Sequence, residues 1–380
     1  MKTATSVTVR VIALLALLVG VVSAQQAGSS ARRTSPALTM DDLGHKNAPT
    51  PASQHSAPQA EATALLPASD LIVYADAPQV FRLLLPQVGS MAPAELLKMK
   101  RQLDEFMAKT GIDPLKISSV TIGVSFSGSA GKATGAVIVE GIEPDMQKVA
   151  AALRSEKIVF KTLTYQGQPL LVGAPDGKTL PKIKQAGAAG KAEEMALAPL
   201  SNGLVLGDPA SVKSVLDAQA GARPAFANAL HSEMLAQASP SAMIRFSAVI
   251  PASLRQSLKQ QDQSLSPFAA ISQLGGSFAF DPAETGGLAL DLRARTTSAG
   301  EAEQLKTALN GLVMLGKGFV GGEKDPLMQL LSQVLDEVQI SAQEADVALS
   351  LSVSRSMMNR FKELMAAPKR SVAENKAENK

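Results

Sequence analysis

From Val347 to Val353 the chain alternates strictly: Val347, Leu349, Leu351 and Val353 are apolar, and Ala348, Ser350 and Ser352 between them are small or polar. A period of two predicts a β-strand with one covered face and one wet face. Apolar runs predict further strands at Leu71 to Ala75, Val120 to Phe126, Ala136 to Glu140, Ile158 to Tyr165, Pro169 to Val172, Ala242 to Val249, Gly276 to Phe280 and Leu288 to Ala294. Glycine-bearing turns fold them into hairpins, around Gly128 to Gly135, at Gln166-Gly167 and at Asn202-Gly203.

Between the hairpins the period becomes that of a helix. Leu96, Met99, Leu103, Phe106 and Met107 predict a core face for a helix from Pro93 to Lys109, which Gly111 stops before Asp113-Pro114 turns the chain. A helix from Pro144 to Arg154 is buried through Met146, Val149, Ala150 and Leu153. Asp208-Pro209 supplies an N-cap and a first helical residue. Ser298, answered by Glu301, is a capping box for a helix striped by Leu305, Leu309 and Leu312. Other helices are expected near Pro78 and over Pro251 to Lys259, Asp325 to Glu337 and Met357 to Leu364.

The order strand, helix, hairpin, helix occurs twice. The fold class expected is therefore α+β: two related units of antiparallel sheet, residues 65–222 and 223–366, with helices packed on one face. Consecutive strands joined by short turns argue against a doubly wound parallel sheet. About 300 residues lie in this body, more than one typical core.

The ends are different. Lys2 and Arg10 precede an apolar run, Val11 to Val22, that closes on Val22-Ser23-Ala24. This predicts a signal peptide over residues 1–24, cleaved before Gln25, and a periplasmic or secreted destination; left uncleaved, the same run is an inner-membrane tether. Residues 25–64, rich in Ala, Ser, Pro, Gln and Thr, predict a disordered linker, and residues 367–380 a solvated tail. The chain has no cysteine, so neither a lipid-modified cysteine nor a disulfide is available. The formal charge of +3 falls by two when Lys2 and Arg10 leave, and a nearly neutral chain implies no polyanion partner.

Lys109-Thr110-Gly111-Ile112-Asp113-Pro114 before a strand, Gly203-Leu-Val-Leu-Gly207-Asp208 before a helix, and the opening Pro67-Ala-Ser-Asp-Leu-Ile-Val-Tyr74 resemble a loose group of uncharacterised exported bacterial proteins. The resemblance covers roughly residues 65 to 220 and rests on turn and cap residues. It implies export and an α+β repeat, and it implies no reaction.

The inventory of reactive groups is thin. His231 is the one histidine of the body, because His45 and His55 fall in the linker, and at an inter-repeat connection it is expected at a surface or helix end rather than as a catalytic base. No Gly-x-Ser-x-Gly elbow occurs in the body. Asp41-Asp42 and Glu193-Glu194 are adjacent pairs, not metal ligands at alternating spacing. A glycosidase pair drawn from Asp113, Glu140, Asp208, Asp281 and Asp291 is opposed by turn or cap duty at the three Asp-Pro sites and by the lack of tryptophan. Gly128-Ser-Ala-Gly131-Lys132-Ala133-Thr134 misses the phosphate-loop spacing, and Ala133 replaces the hydroxyl that would meet magnesium. Lys98, Lys100 and Arg101 share their helix with Asp104 and Glu105, and aromatic residues are 3% of the chain, too few for a stacking platform. No catalytic residue, metal site or cofactor is expected.

What remains is an apolar surplus. From Leu309 to Gly322 five glycines interleave aliphatic, methionine and phenylalanine side chains. Close packing on the sheet is one reading. The sharper one is a loosely filled apolar cleft between sheet and helices that accepts a lipid or another hydrophobic ligand, with Leu312, Met314, Leu315, Phe319 and Met328 facing that ligand. The function expected is a non-enzymatic interaction or binding module of the envelope, with an envelope protein or a hydrophobic ligand as partner. The alternatives are a periplasmic carrier of a lipid or other hydrophobic ligand, and third a carboxylate-dependent hydrolase.

Overall fold

The computed structural model describes residues 56–83, 93–126, 133–156, 158–174, 194–239, 241–261, 266–280, 287–320 and 325–366. The predicted signal peptide, the linker up to residue 55, Asp281, the Glu193 half of its acid pair and the tail lie outside them.

Among the described residues twelve strands form one antiparallel sheet. They are β1 (Leu71–Asp76), β2 (Ser119–Ser125), β3 (Thr134–Glu140), β4 (Val159–Tyr165), β5 (Gln168–Ala174), β6 (Met195–Leu200), β7 (Gly203–Gly207), β8 (Ala242–Val249), β9 (Gln273–Phe280), β10 (Gly287–Arg295), β11 (Gln339–Gln343) and β12 (Asp346–Ser354). Their spatial order is β11-β12-β10-β9-β8-β1-β2-β3-β7-β6-β5-β4. The α+β class holds, but the strands do not part into separate sheets: Val73 of β1 stands opposite both Ile122 of β2 and Phe246 of β8, so β1 and β8 knit the halves together. Outward from that seam, β1-β2-β3-β7-β6 and β8-β9-β10-β12-β11 follow the same order, and the β4–β5 hairpin extends the first.

The helices are α1 (Ser56–Leu65), α2 (Pro93–Thr110), α3 (Met146–Ser155), α4 (Pro209–Gln219), α5 (Ala229–Ala236), α6 (Ala252–Gln261), α7 (Ser266–Ala269), α8 (Ala299–Val320), α9 (Pro326–Asp336) and α10 (Arg355–Ala366), with a further helical stretch at residues 77–83. Helix α1 begins within the stretch the sequence assigned to the linker: its Ala62, and Leu66 just beyond it, are fully buried against Ile72, Ile138, Val205 and Val212.

The expectation of helices on one face is also corrected. In the first half α1 and α4 cover the face carrying Ile72, Ile138 and Val205. Residues 77–83, α2 and α3 cover the opposite face, where Ala75, Val120, Val139 and Leu204 pack with Val80, Phe106 and Val149. Both faces need cover because these strands are apolar on both sides. Two smaller departures are local: Met107 points outward, and α3 is capped by Asp145, whose Oδ1 accepts from Gln147 N and Lys148 N, rather than begun at Pro144.

Candidate functional site

Strand β10 sorts its side chains by the two-residue period. Leu288, Leu290 and Leu292 share one face, and Asp291, Arg293 and Arg295 share the other. The apolar face is covered by α8, α9 and α10. Ala302 and Leu305 of α8 are buried with Ala294 and Val347, and Leu309, Leu274 and Ile340 pack around them. From Gly311 onward no residue of the helix is buried. It lies along α9, where a Cβ on Gly316 would come 3.2 Å from a Leu335 methyl and the Lys317 Nζ pairs with Asp336 Oδ1 at 2.8 Å.

That placement leaves four of the five sequence-selected residues on the outer surface: Leu312 is 57% exposed, Met314 72%, Leu315 59% and Phe319 76%. Leu312, Leu315 and Phe319 recur at helical spacing and form one ridge. Met328, on α9, is half-buried. None of the five lines the apolar cleft that the structure does contain. This cleft, of about 280 Å³, lies between β10, β12, α9 and α10 and is lined by Leu288, Leu330, Val334, Val353, Met358 and Phe361 among others, with Lys362 at its edge. The sequence signal for it was the apolar face of α10, where Met357, Met358 and Phe361 recur at helical spacing.

His231 corrects another expectation. It is 1% exposed, on α5, where it crosses the β1–β8 seam. Its Nε2 is 2.9 Å from the Ser69 carbonyl, which only accepts, so Nε2 carries the proton. Its Nδ1 then accepts from the Ser247 hydroxyl at 2.9 Å. Burial holds the imidazole below its ordinary value, against the opposing pull of Ser69, Asp70 and Ser247. This is a structural histidine, fastened on both nitrogens.

Three of the inventory's acids, Asp113, Asp208 and Glu140, are already engaged. The Asp113 carboxylate accepts from Leu115 N at 3.0 Å as a cap. The Asp208 carboxylate accepts from Ala210 N, Ser211 N and, across the sheet, Gly135 N at 2.7 Å. Burial would raise it, but those hydrogen bonds outweigh burial and hold it below the usual carboxylate range. Glu140 takes a short hydrogen bond from the Ser119 hydroxyl, yet burial pushes its carboxyl up. Beside it, burial and the Asp76 carboxylate push the Tyr74 phenol up to about 12. Among the described residues no group of three metal-ligating side chains gathers, and no helix is long and apolar enough to cross a membrane.

No family model matches the chain, and no curated protein does. Among solved structures the chain is similar to two crystal forms of TP0453. Form III has 9% sequence identity and a TM-score of 0.42, form I has 10% and 0.37, and each match covers 80% of this chain and 96% of that one.

Proposed function

We propose that the chain is an exported, non-enzymatic binding module of the cell envelope that docks a partner on the apolar ridge of α8. The observation that supports this reading is the exposure of Leu312, Leu315 and Phe319 along one ridge of the helix, since large apolar side chains left exposed together mark an interaction surface. The signal-like residues 1–24 supply the route out of the cytoplasm.

A second reading, a carrier of a lipid or other hydrophobic ligand, draws on the cleft under α9 and α10, whose lining is aliphatic, methionine and phenylalanine. Mass spectrometry of the intact exported protein and of its organic extract separates the two. An empty protein that loses partner binding on Phe319→Ser supports the docking ridge. A stoichiometric apolar molecule that is lost on Leu330→Phe, which fills the cleft, overturns it in favour of the carrier.

A further inference from the structure

The opposite face of the same strands holds a second concavity, whose lining is mixed and includes charged and hydroxyl groups. A cavity of about 340 Å³ lies where the C-terminal end of α5 passes over β9, β10 and β12. Two rows of the sheet make its floor. In one, Gly275, Arg293 and Ala348 stand side by side; in the next, Ser277, Asp291 and Ser350 do. Gly275 and Ala348 carry almost no side chain, which makes the room. Met234 of α5 closes one wall, so near that a Cβ on Gly275 would come 3.0 Å from its Cβ.

Two groups here make no hydrogen bond among the described residues: a buried hydroxyl and an exposed carboxylate. The Ser277 hydroxyl belongs to a residue 1% exposed and has no hydrogen-bond partner, although buried hydroxyls almost always find one. Beside it in register, the Asp291 carboxylate has no hydrogen bond or ion pair among the described residues. Arg293, two residues along the same face, gives one N–H to Gln237 Oε1 at 3.0 Å and keeps the rest of its five donors. The Cα atoms of residues i and i+2 of a strand stand about 6.6 Å apart, and both side chains are exposed on the cavity's lining, so a carboxylate and a guanidinium are offered side by side to a short dipolar molecule.

We propose that this cavity binds a small zwitterion, with its ammonium group on the Asp291 carboxylate and the Ser350 hydroxyl, and its anionic group on the Arg293 guanidinium. An ammonium has three donors, and the two carboxylate oxygens and the Ser350 hydroxyl offer three acceptor atoms to take them. A lone anion would meet Asp291, and a lone cation would meet Arg293. A divalent cation would want six or more oxygens, which one carboxylate and one accessible hydroxyl do not supply.

The test is isothermal titration of the full exported chain with glycine and with phosphoethanolamine, using acetate, methylammonium and glucose as comparators. Saturable binding of either zwitterion is expected, with affinity falling roughly tenfold or more in Asp291→Asn and in Arg293→Gln, the loss of one charge-assisted contact. Asp291 supports no other side chain, so far-UV circular dichroism and the melting temperature of Asp291→Asn should match the parent. Preference for glycine assigns the anion to a carboxylate, as in a free amino acid. Preference for phosphoethanolamine assigns it to a phosphate, as in a lipid headgroup. The proposal falls if neither zwitterion binds, if a comparator binds as well as they do, or if Asp291→Asn leaves the affinity unchanged. The ridge on α8 stands or falls separately, because no residue is shared between the two surfaces.

Discussion

Replacing His231 by leucine tests how the β1–β8 seam is held. Leucine is of similar bulk, so packing in the site survives while both hydrogen bonds go. The Ser69 carbonyl and the Ser247 hydroxyl then stay buried without the ring that served them. Two lost hydrogen bonds at ~1 kcal/mol each, plus the desolvation left on the buried partners, give a destabilisation of about 2–4 kcal/mol. Ser247→Ala alone should cost about 1 kcal/mol, and adding it to His231→Leu should cost almost nothing more, because removing both partners of a buried pair is nearly neutral. Urea denaturation followed by far-UV circular dichroism reads all four corners of that cycle. The pH dependence adds an independent check. Burial depresses the folded imidazole below its ordinary 6.5, so its contribution is complete above that value. As pH falls from 6.5 towards the folded value, the unfolded chain takes up a proton that the folded one resists, and stability is lost at up to about 1.4 kcal/mol per pH unit. The advantage of the parent over His231→Leu should therefore shrink between pH 7.5 and 5. A leucine variant as stable as the parent, or a difference that does not change with pH, would refute this account of the seam.

Three further outcomes follow from the same geometry. Phe319→Ser should change stability by less than ~0.5 kcal/mol, because the ring is 76% exposed, yet reduce binding of a hydrophobic dye to the native protein; both are read in one titration. Leu330→Ala, 2% exposed beneath the cleft, should cost about 2–5 kcal/mol in the same urea assay and enlarge the cavity. Asp208→Ala removes the cap of α4 and the tie to Gly135 N, at about 1–2 kcal/mol near neutral pH. The Asp208 carboxyl is held below its ordinary 3.8, so its contribution is present above that value and lost as pH falls through the folded one, and the variant should lack this acid-limb step.

Local chemistry was legible in the sequence, and long-range placement was not. Asp208-Pro209 and Asp325-Pro326 begin helices as read, since an N-cap needs only its own next three residues. Ser298 Oγ accepts from Glu301 N, but the Glu301 carboxylate reaches back to Thr297 instead of closing the box on Ser298. The alternation at Val347 to Val353 forms β12 as expected. His231 could not be placed that way, because what buries it is Ser69, 162 residues earlier in the chain. Nor could the union of the halves be read, because β1 pairs with β8 across most of the first half. The apolar stretch of α8 carries the right composition for a packed helix. However, only the first half of the helix holds buried residues; from Gly311 onward it packs beside α9 through Gly316 and Lys317, and Leu312, Leu315 and Phe319 stay exposed, a partnership between two helices that the stretch's own period does not show.

The two concavities depend on one another through β10. Its alternation sends Leu288 into the apolar cleft and Asp291 with Arg293 into the charge-bearing cavity, and the pairs Leu290↔Phe278 and Asp291↔Ser277 fix which side is which. A slip of one residue would exchange the faces, placing a carboxylate and a guanidinium against Leu330 and Phe361 and three leucines in water. Arg295 guards that register at the strand's end. Its guanidinium grips Asp346 of β12 bidentately, at 2.7 and 2.9 Å, and also Glu233 of α5, at 2.8 and 3.0 Å. Its arms thus tie the sheet pairing to the helix that walls the charge-bearing cavity. Lysine there would keep the charge but lose the fork. Loosening of α5 in Arg295→Lys, read as faster amide exchange at Met234 and Leu235 with β1–β3 unaffected, is the outcome this coupling requires.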